Sequence, residues 1–215
     1  MFMAFEGGDG CGKTSAIAYI KEKLDEVQKD SAVVLNDWHG EYGNHCKRTL
    51  TTHPYLDDIT RLQLVENCRS HSINNVNDKL SQGKIVLYDR FVLSTYAYQS
   101  SLGIGSLDPT VITKFADKDI RTLREKPVYV ILKGVDYDTQ QERIKTRNSS
   151  VIDVFDFMGR DKYEKIQNFY DNAIQLLLLF HNRPNVIFVD NSQDVEHLHK
   201  QLDRIVNLIL DRQKD

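Results

Sequence analysis

The chain has 215 residues, 40% of them hydrophobic, which suits one compact domain with a sizeable core. Its 28 basic and 31 acidic side chains leave a net charge of −3, a balance that argues against general affinity for nucleic acid. The three cysteines, Cys11, Cys46 and Cys68, have neither disulfide-like nor metal-like pairing and read as reduced thiols of a cytoplasmic protein.

Short apolar runs alternate with amphipathic stretches, the pattern of an α/β chain with a parallel sheet. The first strand is read at Phe2–Phe5, followed at once by a glycine-rich turn. A helix then starts at Lys13 and carries Ala16, Ile17, Ile20 and Leu24 on one face. A second strand follows at Ala32–Leu35. A long helix spans roughly Leu56–Leu80, with Leu62, Val65, Ile73, Val76 and Leu80 near helical spacing. Beyond it come a strand at Ile85–Tyr88, a helix at Asp108–Arg124, a strand at Val128–Leu132 and a helix at Asp138–Thr146. The stretch Asn148–Gly159 has no clean period and reads as a mobile loop. A helix at Asp161–Phe180, a strand at Val186–Val189 and a helix at Val195–Asp211 complete the series. All five strands are apolar throughout, as strands covered on both faces should be. Met1–Phe5 and Leu176–Phe180 are too short for a membrane span, and no repeat or linker interrupts the chain, so a single domain over residues 1–215 is expected.

The turn after the first strand, Gly7-Gly8-Asp9-Gly10-Cys11-Gly12-Lys13-Thr14, fits G-x-x-x-x-G-K-[ST] and has a strand before it and a helix after it. Glycines let the backbone curl until successive N–H groups point at phosphate oxygens, and the helix start adds the positive end of its dipole. Lys13 is expected to reach the β and γ phosphates of ATP, and the Thr14 hydroxyl to ligate Mg²⁺. Cys11 stands where only a small residue is needed and reads as filler. Two extra acids, Glu6 and Asp9, lie in this anion-binding region; each is costly unless it meets a cation, a hydroxyl or backbone donors.

Phe5-Glu6-Gly7-Gly8-Asp9-Gly10-Cys11-Gly12-Lys13-Thr14 resembles the opening of the thymidylate kinase family, and Asp89-Arg90-Phe91 through Ser94-Thr95-Tyr96-Ala97-Tyr98-Gln99 is similar to its D-R-[YFH]-x-x-S-[TN]-x-A-Y-Q segment. The resemblance runs in order from Phe5 to the last helix. It implies a P-loop nucleoside monophosphate kinase fold, a five-stranded parallel sheet flanked by helices with a mobile lid at about residues 147–160. The implied activity is ATP-dependent phosphorylation of dTMP to dTDP, with Mg²⁺, by a homodimer packed through the long helices.

By that likeness Asp9 binds the sugar 3′-hydroxyl of the acceptor; a loop-stabilising hydrogen bond to backbone is the other reading of this residue. Asp89 holds the Mg²⁺ shell and Arg90 grips the acceptor phosphate. Thr95 and Gln99 sit near the base, and Tyr98 crowds the 2′ position. Arg69 contacts the thymine edge, or else is a charge on a solvated helix face. The family's base-stacking aromatic falls at Val65, which offers no π surface. Trp38 lies where bacterial members carry a phosphate-contacting turn, and reads either as a packing anchor or as a gate.

Arg143 and Arg147 stand one helical turn apart and lead into the irregular stretch, where arginines can stabilise charge on the moving phosphoryl group. Gly10 occupies a position at which some family members carry an arginine. The chain therefore resembles the type whose catalytic arginine lies in the lid, with Arg147 in that role, Arg143 nearer the adenine and Arg160 a further candidate. The departures at Val65 and Trp38 leave a kinase for another deoxynucleoside monophosphate, or a broad-range one, as the alternative. A nucleotide-dependent switch protein is disfavoured, since Asp156-Phe157-Met158-Gly159 follows no strand and no [NT]-K-x-D motif is present.

Overall fold

A computed structural model describes residues 1–53, 55–101, 109–146, 159–180 and 185–213, excluding the side chains of 109–112 and 179–180. In chain order the elements are β1 (Phe2–Glu6), α1 (Lys13–Val27), β2 (Ala32–Leu35), α2 (Gly40–Thr52), α3 (Asp58–Ser81), β3 (Ile85–Asp89), α4 (Val92–Ser101), α5 (Pro109–Thr122), β4 (Val128–Lys133), α6 (Tyr137–Thr146), α7 (Arg160–Phe180), β5 (Asn185–Asp190) and α8 (Val195–Arg212).

The strands form one parallel sheet in the order β2-β3-β1-β4-β5. Two apolar layers cover it. On one face Ile17, Ile20 and Leu24 of α1 meet Leu198, Leu202, Ile205 and Ile209 of α8 over Met3, Leu87 and Val130. On the other, Ile73 and Val76 of α3, Leu93 and Ala97 of α4, and Ile166, Tyr170 and Ile174 of α7 pack on Phe2, Tyr88 and Tyr129. Alternate residues of each central strand feed opposite layers, which is why those strands read as continuous apolar runs.

The expectation that every strand is covered on both faces fails at the edges. Val34 of β2 is 40% exposed and Phe188 of β5 is 55% exposed. An edge strand lacks a neighbour on one side, so its flanking helix cannot close over it fully. The Lys133 ammonium lies 5.6 Å from the centre of the Phe188 ring, placing a charge over this exposed edge.

Two helices lie where the sequence shows no helical period. In α2 only Gly43 and Cys46 are buried, too few to mark a stripe. In α4 every residue from Val92 to Ser100 except Tyr96 is buried, so no polar face remains to reveal the turn. The carboxyl ends of β1 and β3 are adjacent, with Phe5 paired to Asp89, and the loops leaving them form the site.

Candidate active site

The loop between β1 and α1 is held open by its glycines. Gly10 has φ +70, and a Cβ there would stand 2.7 Å from Gln140 Cγ. Gly12 has φ +93, and a Cβ would meet Asn191 Nδ2 at 2.5 Å. Either substitution strains the backbone and also collides with a neighbour. Gly12 is the N-cap of α1; no side chain caps this end, and its first turn carries no acid. The backbone donors and the dipole at the start of α1 are thus left for an anion.

Lys13 is 6% exposed, and its ammonium donates to the carbonyls of Gly7 at 2.9 Å and Gly8 at 2.8 Å, with Cys11 Sγ at 3.6 Å. Cys11 is buried beneath the loop with the α1 layer. Thr14 is exposed in the first turn of α1.

Glu6 resolves the cost expected of an acid at this place. It is fully buried, and it accepts from the backbone N–H groups of Phe91 at 2.9 Å, Leu93 at 3.0 Å and Ser94 at 3.1 Å, and from the Ser94 hydroxyl. The carboxylate therefore caps the start of α4 from a neighbouring strand. Burial pushes the Glu6 pKa up and these donors pull it back, with a net rise.

Arg90 links β3 to α4 in the left-handed region, φ 68, which is uncommon for a side chain of this size. Its backbone N–H donates to Phe5 O at 3.0 Å. Its guanidinium pairs with Asp9, reaches the Gly7 carbonyl at 3.2 Å and Tyr170 Oη at 3.3 Å, and lies 4.9 Å from the centre of the Tyr98 ring. The Tyr98 hydroxyl donates to the other Asp9 oxygen at 2.6 Å. Asp9 of the loop and Arg90 and Tyr98 of the segment after β3 thus form one cluster. Burial alone lowers the Arg90 pKa, but Asp9, Tyr98, Tyr170 and Asp89 outweigh it and the pKa rises well above its ordinary value. Burial foremost raises the Tyr98 phenol, which therefore stays a neutral donor at physiological pH.

Beside this cluster, Thr95 and Gln99 are 5% and 9% exposed, and among the described residues Thr95 Oγ1 and Gln99 Oε1 have no hydrogen-bond partner. Asp89 Oδ1 is likewise buried and unpartnered among those residues. Unmatched buried polar atoms at the mouth of a sheet are natural ligand contacts.

Arg69, expected at the thymine edge, lies inside the protein with Nη1 lacking a hydrogen-bond partner among the described residues. It is 1% exposed, and the fork is closed on Asp37, with Nε to Oδ1 at 3.2 Å and Nη2 to Oδ2 at 2.5 Å. Nη1 lies 3.6 Å from Glu66 Oε1, and the group packs 5.4 Å from the centre of the Phe91 ring. The burial also removes the reading of a solvated surface charge. Val65, 7% exposed, lies one turn earlier on α3.

Arg143 on α6 reaches the Gly10 carbonyl at 3.4 Å, which sets it beside the loop. Arg147, with most of the expected lid, lies outside the described residues. Arg160 is exposed and forks onto Asp138 at 3.0 and 3.1 Å. Three further residues hold the loop backbone. Gln140 donates to the Asp9 carbonyl, Asn191 donates to the Cys11 carbonyl at 2.9 Å, and Tyr170 donates to Gly7 O at 3.0 Å.

The family model described as Thymidylate kinase matches residues 5–202. The thymidylate kinase of Enterococcus faecalis is 30% identical over 175 residues, 79% of this chain and 80% of that protein. That of Thermoanaerobacter sp. is 27% identical over 212 residues, 97% of this chain and 98% of the relative. The crystal structure of thymidylate kinase from Ehrlichia chaffeensis shares the fold with a TM-score of 0.68 at 21% identity, covering 97% of this chain and 98% of the other. With its phosphate loop, its Asp-Arg strand end and a match across most of its length, the chain belongs to the thymidylate kinase family of nucleoside monophosphate kinases.

Proposed function

We propose that the protein transfers the γ-phosphoryl group of MgATP to dTMP, giving dTDP for DNA precursor synthesis. The observation that carries the reading is the Asp9–Arg90–Tyr98 cluster at the junction of the phosphate loop and β3. It puts a cation for an acceptor phosphate beside a carboxylate for a sugar hydroxyl, and that carboxylate belongs to the donor loop itself.

The acceptor phosphate is already ionised, so the step needs alignment and charge stabilisation more than proton transfer. Lys13 leaves the loop carbonyls for the donor phosphates, Arg90 holds the acceptor phosphate, and Arg143 flanks the loop on the nucleotide side. Arg147 is the lid arginine of this reading. Thr14, exposed at the start of α1, and Asp89, with an unmatched oxygen, supply the hard oxygen donors that suit Mg²⁺. Bound there, the ion supplies charge neutralisation between the phosphates. Thr95 and Gln99 meet the base, Tyr98 with Asp9 meets the sugar, and Val65 packs on the ring face. The three free cysteines agree with a cytoplasmic setting, and no helix among the described residues is long and apolar enough to cross a membrane. A homodimer through α3 belongs to the same reading; Ile59 on that helix and Tyr42 on α2, 48% and 45% exposed, offer apolar surface for it.

ADP release measured with each common nucleoside monophosphate tests the assignment. Preference for dTMP upholds it. Val65, where an aromatic residue is the family pattern, favours a second reading in which another deoxynucleoside monophosphate is accepted, and a preference for dGMP or dCMP selects that one.

A further inference from the structure

We propose that Tyr170 is a positioning residue that couples occupation of the donor loop to the grip of Arg90 on the acceptor, acting through the Gly7 carbonyl. The inference rests on the reading of Arg90 as the acceptor-phosphate arginine.

The Gly7 carbonyl oxygen is approached by three donors: Lys13 Nζ at 2.9 Å, Tyr170 Oη at 3.0 Å and Arg90 Nη1 at 3.2 Å. A carbonyl oxygen has two lone pairs, so three donors cannot all be served at full strength. Two of them are the cations assigned to opposite ends of the reaction, Lys13 to the donor and Arg90 to the acceptor.

Tyr170 decides how they share it. The residue is 2% exposed, and its hydroxyl has a single proton with two acceptors in reach, Gly7 O at 3.0 Å and Ser94 Oγ at 2.7 Å. The Ser94 proton is directed to Glu6, which fixes Ser94 as an acceptor for its neighbours. Arg90 Nη1 lies 3.3 Å from Tyr170 Oη and 3.5 Å from Ser94 Oγ, long distances for a charged donor and a sign of sharing among several oxygens. The Tyr170 ring meets Tyr98 edge-on, with centroids 6.1 Å apart, and Tyr98 in turn bounds the Arg90 guanidinium. Tyr170 therefore holds Arg90 by its hydroxyl directly and by its ring through Tyr98.

Donor phosphates that draw Lys13 off the loop leave the Gly7 carbonyl to Tyr170 and Arg90 alone. The guanidinium then settles in one orientation before the acceptor arrives. By linkage the acceptor must favour the donor by the same factor.

The test is the dTMP dissociation constant by calorimetry, with and without a saturating Mg²⁺ complex of a non-hydrolysable ATP analogue. For the wild type the analogue is expected to tighten dTMP about fivefold or more, the lower range of measured couplings. Tyr170→Phe keeps the ring and removes the hydroxyl; its ratio is expected to fall to within about twofold of unity while affinity for the analogue alone is retained. A wild-type ratio near one, or a wild-type ratio retained in Tyr170→Phe, overturns the inference. So does a variant that loses thermal stability but keeps the ratio, since that is a packing role only. Arg90→Ala separates the two layers. Weak dTMP binding in that variant upholds the Arg90 reading even where the Tyr170 result fails, and unchanged binding removes the reading and the inference with it.

Discussion

Glu6 and Glu66 are both hidden from water, at 0% and 4% exposure, yet their surroundings differ in kind. Glu6 sits between β1 and α4 and receives three backbone N–H groups and a hydroxyl. Glu66 sits in a pocket of charges under α3 and α5. Its Oε1 is 3.6 Å from Arg69, and among the described residues its Oε2 has no partner. Asp37 holds the Arg69 fork and Asp119, 0% exposed, adds a third carboxylate. Backbone donors are fixed by the fold and can stabilise one buried charge. Among the described residues three acids face two cations, Arg69 and the half-exposed Lys118 at 3.6 Å from Asp119, so one negative charge is left over and burial favours a proton on it. Burial foremost, with Asp119 and Asp37 adding and Arg69 opposing, pushes Glu66 up to about 7, and burial raises Asp119 as well. The first region ties β1 to the start of α4 beside the phosphate loop, and the second joins α3, α5 and the segment after β2.

Substitutions in the two regions should therefore separate chemistry from stability. Lys13→Ala, in the first, is expected to lower turnover about 10³-fold or more while the melting temperature moves by only a few degrees. A near-normal kcat in that variant would break the assignment of the loop. Glu6→Ala leaves the N–H groups at the start of α4 unanswered, and about 3–5 kcal/mol of stability should disappear in denaturant unfolding, with a raised KM for the acceptor. A loss below about 1 kcal/mol would mean that α4 does not depend on this cap.

The second region should reveal itself through pH. The folded-state pKa of Glu66 lies above its ordinary value of 4.5, so its contribution is intact at low pH and is lost as pH rises through about 7. As pH rises from 4.5 to about 7 the wild type is expected to lose on the order of 3 kcal/mol from this group, with little further change above that, and Glu66→Gln to lose much less. Parallel pH profiles for the two proteins would show that the proton resides elsewhere in the cluster. The smallest effect is expected from Tyr88→Phe. The Tyr88 hydroxyl donates to Asp37 at 2.6 Å and lies 2.8 Å from Ser72 Oγ, and its removal should cost about 1 kcal/mol in the same unfolding measurement.

Much of the first region is legible in the sequence because its parts are contiguous. Gly7–Thr14 and Asp89–Gln99 are continuous segments whose backbone and side chains act together, and their neighbours confirm their setting. Strand existence is equally legible, since central strands buried on both faces leave uninterrupted apolar runs. The second region is not. Asp37, Glu66, Arg69 and Asp119 come from three segments far apart in the chain, and charged residues at helical spacing usually mark a solvated face. Nothing local distinguishes a buried Arg69 from an exposed one; the difference is Asp37, 32 positions away. For the same reason the contact of Tyr170 with Gly7, 163 positions away, is visible only in the fold.

The left-handed backbone at Arg90 has an evolutionary consequence. A conformation of this kind costs on the order of 1 kcal/mol for a residue with a side chain, and glycine or asparagine adopts it more readily. On the proposed role of Arg90, the backbone and the chemistry make opposite demands on the genetic code at this one position. Selection for a sturdy fold alone would let the arginine drift away, whereas selection for that role would hold it in place. Variation at position 90 among descendants of this chain would then mark the lineages in which the phosphotransfer activity had ceased to matter.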